Sequence, residues 1–66
     1  MKLDKRKIKI LLAEKCMMTK ELCEVSGVSH ATITKGYSKE ISPLSVGKLA
    51  AALGVPVEEI VLPEEG

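Results

Sequence analysis

Aromatic residues are almost missing from this chain: Tyr37 stands alone, without Trp or Phe. Single-stranded nucleic acid is held by stacking bases on several aromatic faces, and such a platform is hard to build here. Cysteine is scarce too. Cys16 and Cys23 are too few for the disulfide framework of a secreted mini-protein, and with the single His30 they fall short of four zinc ligands. No leader-like segment precedes them, and the expected setting is reducing and cytoplasmic. No apolar run approaches the length of a membrane span, so a membrane is not an expected partner. Nucleophile–base pairings, phosphate loops and metal-ligand clusters are also lacking, and so short a chain has little volume for a pocket. Catalysis, a cofactor, a metal and a small-molecule substrate are therefore not expected.

What is present is a chain of 66 residues, 45% hydrophobic and 29% charged, which is enough apolar material for one core and no more. Residues 1–66 are thus expected to form one domain. The formal charge of +1 conceals an asymmetry: residues 1–39 hold nine Lys/Arg against four Asp/Glu, and residues 40–66 one against five. A basic half backed by an acidic half suits a polyanionic partner, with an uneven scatter of solvated charge as the competing explanation.

Residues 4–15 place Ile8, Leu11, Leu12 and the stem of Lys15 on one side at helical spacing, with Asp4 as N-cap. Lys5, Arg6, Lys7 and Lys9 occupy the rest of the circumference, where they serve either solubility or phosphate contact. The helix should end near Cys16-Met17-Met18. Both cysteines are expected as core thiols, and Met17 and Met18 as core or loop packing. Thr19 can cap a second helix running through Val25, and Gly27 suits the sharp turn after it. Ser29 caps a third helix of about two turns, ending near Gly36-Tyr37. Thr32-Ile33-Thr34 alternation is the competing strand signal.

After a loop over residues 37–41, Ser42-Pro43 opens a fourth helix whose apolar face is Leu44, Val46, Leu49, Ala50 and Leu53, closed by Gly54. Gly47 inside it suggests close approach of a neighbouring backbone. Pro56 begins a last short turn, with Glu58 and Glu59 near its N-terminal end and Val57, Ile60 and Val61 available to the core. Pro63 to Gly66 are expected to form a frayed tail.

The informative unit is the pair of short helices around Gly27. Leu22, Val28 and Ile33 fix two helices onto one core, small Cys23 lets them cross closely, and Gly27 makes the turn. This is a helix-turn-helix pattern, in which the second helix projects from the surface. Leu22 to Ile33, Ser42-Pro43-Leu44 and Val46-Gly47-Lys48-Leu49-Ala50-Ala51-Ala52-Leu53-Gly54-Val55 together resemble the Cro and lambda repressor family of helix-turn-helix regulators, also called the xenobiotic-response-element family. The resemblance runs from about Asp4 to Ile60.

The resemblance implies an all-α, compact five-helix lambda-repressor-like fold and a sequence-specific regulator of transcription, a repressor, that places helix 29–36 in the major groove of double-stranded DNA. Carried over by position, His30, Ala31, Thr34 and Lys35 face base edges, while Thr19, Ser29, Thr32, Ser38 and Lys39 lie near phosphates. Taken alone, His30 is as readily a passive surface side chain, and Thr32 and Thr34 as readily tolerated solvent positions. Repressors of this class read two half-sites roughly 34–36 Å apart, which implies a homodimer. The apolar Val55, Val57, Ile60, Val61 and Leu62 are a candidate interface. Departures from the family pattern are Met18 for a capping Ser or Thr, Thr19 for Gln, Cys23 for Ala, Gly36 for an apolar residue and Lys39 for Gly. Tyr37 then either supplies the apolar bulk missing at Gly36 or reaches a phosphate. The alternative function is a protein-interaction module, an antitoxin-like accessory protein with the same fold.

Overall fold

The computed structural model describes residues 1–63. Four α-helices, α1 (Lys5–Glu14), α2 (Thr19–Ser26), α3 (His30–Ser38) and α4 (Pro43–Leu53), are followed by a 3-10 turn at Val57–Glu59. The all-helical architecture is as expected, but the fifth helix is only that turn. Pro56 stands at its N-cap position, and three residues are too few for an α-helical ladder. The expected frayed tail lies, from Glu64 onward, outside the described residues.

Local chemistry starts and stops most of the helices. Asp4 accepts the Lys7 N–H, Ser29 the Thr32 N–H and Ser42 the Ser45 N–H, so three of the four helices open with a side-chain cap. Pro43 occupies the first turn of α4, where its missing N–H is not needed. Gly54 closes α4 in the left-handed conformation (φ 69°), with the Val55 N–H reaching Ala50 O. The Thr-Ile-Thr alternation does not produce a strand: burial of Ile33 inside the helical core outweighs the weak β preference of its neighbours.

The core consists of Leu3, Ile8, Leu12, Leu22, Val28, Ile33, Ile41, Val46, Leu49, Ala50, Leu53 and Ile60. Leu44 does not belong to it. It sits two residues before Val46, roughly 200° around α4, and is therefore 69% exposed on the opposite face. Lys15 lies past the end of α1 as its C-cap residue and is likewise exposed. Cys16 is exposed rather than buried: it holds the left-handed position after α1 (φ 52°), with the Met17 N–H bonded to Leu12 O around it. Met18 is 72% exposed, whereas Met17 and Cys23 pack against the core. Gly47 has no neighbouring atom within 4 Å of where a Cβ would stand, so no backbone approaches it closely.

One feature that no local pattern foreshadows ties the ends of the chain together. Leu3 and Val61 form an isolated antiparallel bridge, flanked by Asp4 N–H to Ile60 O (2.8 Å) and Leu62 N–H to Lys2 O (3.0 Å). The opposite edge of the same N-terminal segment reaches the third helix and the loop after it. Leu3 N–H donates to Gly36 O (2.7 Å) and Ile41 N–H to Met1 O (2.8 Å). Ile60 is fully buried, and Val55, Val57 and Val61 pack on the core, so the C-terminal apolar segment is largely consumed inside the chain. Leu62 alone of the candidate interface residues is exposed.

Candidate nucleic-acid interface

The α2–α3 unit is assembled from its buried side. Leu22 and Ile33 are fully buried and Val28 nearly so, fixing both helices to one core. Gly27, at φ 75°, takes the left-handed position after α2 and donates its N–H to Cys23 O (2.9 Å). Ser26 adds a latch that is not among the sequence expectations: its hydroxyl donates to Leu22 O and accepts the Val28 N–H (3.1 Å). A Ser one residue before a turn glycine is the available signal, since such hydroxyls commonly close local backbone turns.

With Ile33 and Gly36 turned into the core, the opposite side of α3 is left to solvent. His30, Ala31, Thr34 and Lys35 are all exposed there, on one helical face together with Ser38. Four side chains of different chemistry are thereby grouped: an imidazole, two methyl-bearing surfaces and an ammonium. Lys35 makes no ion pair with any described residue.

The positions expected near phosphate are less uniform. Ser29 is exposed at the N-terminus of α3, but its hydroxyl already holds the Thr32 N–H (3.2 Å) and pairs with the Thr32 hydroxyl (2.8 Å). Thr32 is half-buried. Thr19 is the first helical residue of α2 rather than its cap; the N-cap position belongs to Met18, which has no side-chain acceptor to offer. The first N–H groups of α2 consequently lack a side-chain cap, an arrangement that accepts an anion oxygen. Ser38 and Lys39 are exposed at the far end of α3, about 12 Å along the axis from His30. Gly36, which occupies a normally apolar position, does not end the helix: α3 continues to Ser38, and Lys39 N–H closes on Lys35 O (2.8 Å).

Tyr37 borders this face, three residues after Thr34 and seven after His30. Its ring packs against the core, and Lys5 Nζ lies 5.7 Å from the ring centroid. Burial, with a smaller contribution from nearby Cys23, raises its phenol above the ordinary value. The ring therefore adds apolar contact at the edge of the core. The space beside Gly36 itself, however, is filled by Leu3, whose Cδ1 would lie 2.7 Å from a Cβ at that position.

Lys5, Arg6, Lys7 and Lys9 are all exposed around the start of α1, and Lys5, Arg6 and Lys9 line a shallow groove with Ile10. Among the described residues no group of three or more His, Cys, Asp or Glu side chains is placed to hold a metal ion, and no helix is long and apolar enough to cross a membrane.

Two short helices crossing at a left-handed glycine, with the second displaying a polar face, define a helix-turn-helix DNA-binding domain. The chain belongs to the Cro/C1-type HTH DNA-binding domain family, whose profile matches residues 7–64. No curated protein and no solved structure matches the chain. Membership assigns it DNA binding as its class of activity.

Proposed function

We propose that this protein is a sequence-specific transcriptional regulator, acting as a repressor by occupying double-stranded DNA, with one reading domain over residues 1–66 per subunit and two subunits per operator. The observation that carries this reading is the exposed face of α3, where His30, Ala31, Thr34 and Lys35 stand together and clear of the core. With helix 29–36 in the major groove, Lys35 and His30 donate to guanine O6 or N7, while Ala31 and the Thr34 methyl pack on thymine methyls. Thr19, Ser29, Thr32, Ser38 and Lys39 flank the groove, and the uncapped N-terminus of α2 takes a phosphate oxygen.

Selection of bound duplexes from a random DNA pool tests binding and specificity together. A recurrent two-fold-related sequence is the expected outcome, and no enrichment would overturn the reading in favour of a protein-interaction module. Lys35→Ala should relax the preference at one base pair per half-site, a loss of about 1–3 kcal/mol of discrimination. Unchanged selection by that variant removes Lys35 from the base-reading set.

A further inference from the structure

We propose that the first turns of α1 carry a second DNA-backbone contact surface, with Lys5, Arg6 and Lys9 binding phosphates beside the C-terminal end of α3. The inference rests on the duplex-binding reading above and extends the footprint beyond the helix-turn-helix unit.

Three observations converge on it. The first is position. Leu3 N–H is bonded to Gly36 O in α3, and Lys5 Nζ lies over the Tyr37 ring, so the start of α1 is held against the last turn of α3. Tyr37 in turn borders the exposed His30–Thr34 row, which places Lys5 at the margin of that face.

The second is charge without local compensation. Lys5 and Lys9 are four residues apart and Arg6 and Lys9 three apart, spacings at which like charges repel across a helix surface. Lys5 and Arg6 also stand in the first turn of α1, where the helix dipole disfavours cations, and that turn contains no acidic residue. Asp4 is committed to the cap through its bond to the Lys7 N–H, and none of the three cations pairs with a described carboxylate. The cluster therefore opposes the stability of the helix that bears it, and a polyanion relieves that repulsion.

The third is shape. Lys5, Arg6 and Lys9 surround a groove whose wall is Ile10, 49% exposed. An apolar side chain beside a row of cations suits a sugar–phosphate backbone, in which a deoxyribose accompanies each phosphate.

The test is the salt dependence of binding, followed by fluorescence anisotropy on a labelled duplex of about two helical turns. The logarithm of the wild-type affinity should fall linearly with the logarithm of salt concentration. Arg6→Gln/Lys9→Gln and, separately, Lys5→Gln should give shallower lines, by about 0.9 in slope for each phosphate no longer neutralised. If the double variant releases two phosphates, the wild type sheds on the order of tenfold more affinity than that variant between about 50 and 200 mM salt. Lys15→Gln, at the other end of α1, should keep the wild-type slope. Thermal unfolding should show Arg6→Gln/Lys9→Gln at least as stable as the wild type, since it removes repulsion, whereas Lys5→Gln also gives up the contact with the Tyr37 ring.

A wild-type slope in Arg6→Gln/Lys9→Gln overturns the proposal and leaves the patch to solubility or an acidic protein. An equally shallow slope in Lys15→Gln also overturns it, because diffuse charge then suffices. Absence of salt-dependent duplex binding by the wild type itself is a different failure, that of the duplex-binding reading, and the second surface falls with it.

Discussion

Two glycines inside helices meet opposite surroundings, and substitution should separate them. A Cβ at Gly36 would stand 2.7 Å from Leu3 Cδ1 and 3.1 Å from Ile41 Cδ1, both on buried side chains, whereas one at Gly47 meets nothing within 4 Å. In urea unfolding, Gly36→Ala should lose about 1–2 kcal/mol, overpacking outweighing the gain in helix propensity. Gly47→Ala should gain about 0.5–1 kcal/mol by restricting the unfolded chain. Once Leu3→Ala has removed the obstructing atoms, Gly36→Ala should cease to be destabilising; an undiminished penalty would refute the Leu3–Gly36 fit. Tyr37 offers a spectroscopic check, being the single tyrosine in a chain without tryptophan. Its phenol is held above the ordinary 10.0, mainly by burial. Ionisation is thus harder in the folded than in the unfolded state. The associated stability is intact below pH 10 or so and drains away as pH rises through the folded-state value. Phenolate absorbance should titrate above 10.0 in the native protein and return to about 10 in urea. A native midpoint at or below the urea value would contradict the packed ring.

At the scale of elements, α2 is the exception among the helices. Asp4, Ser29 and Ser42 bond the N–H three residues on, but Met18 has no acceptor with which to do so. Glu21 is already at the third helical position, so Met18→Ser would complete a capping box. Thermal unfolding should register a gain of roughly 0.5–1 kcal/mol; no gain would mean that the first turn of α2 is frayed whatever its cap. These caps also explain how much of the fold is legible. Each operates over three to five residues, so Asp4, Ser29, Ser42, Gly27 and Gly54 announce element boundaries in the sequence itself. Thr19 stands one position after the cap that its side chain suggests in isolation; the family pattern, which aligns Met18 with the capping residue, places the boundary where the structure has it. The phase of Leu44, by contrast, is readable: its offset from Val46 already puts it opposite the buried stripe.

For the whole molecule, dimensions and charge distribution bear on assembly. The described residues extend 34 × 20 × 17 Å. On the proposed reading, half-sites lie roughly 34–36 Å apart along one face of a duplex, so one such body with one reading helix spans a single half-site and a two-fold operator would take a second copy. Light scattering on the complex with a selected operator should give two chains per duplex; one chain at saturation would sink the homodimer. The C-terminal segment as a whole is not free to form the proposed interface, since Ile60 is fully buried and Val55, Val57 and Val61 pack within the subunit. The candidate site follows the same division. His30, Ala31, Thr34 and Lys35 can be grouped from their positions after Gly27, because one helix holds all four. The neighbourhood of Lys5 and Tyr37 cannot, because 32 positions separate them and only the N-terminal segment brings them together.

Taken alone, the sequence determined what short-range chemistry controls: where most helices begin and end, which face of α3 is left to solvent, and the helix-turn-helix unit around Gly27. Caps, left-handed glycines and apolar spacing act within a few residues and need no distant partner. Tertiary structure decided what depends on residues far apart in the chain: that Leu3 fills the space left by Gly36, that Leu3 and Val61 bridge the two ends, and that Cys16 faces water. The scarcity of aromatic residues acquires its physical meaning there as well. With Tyr37 as the one large ring, the C-terminal end of α3 is packed by small pieces brought from elsewhere, Leu3 and Ile41, whose arrival no local pattern encodes.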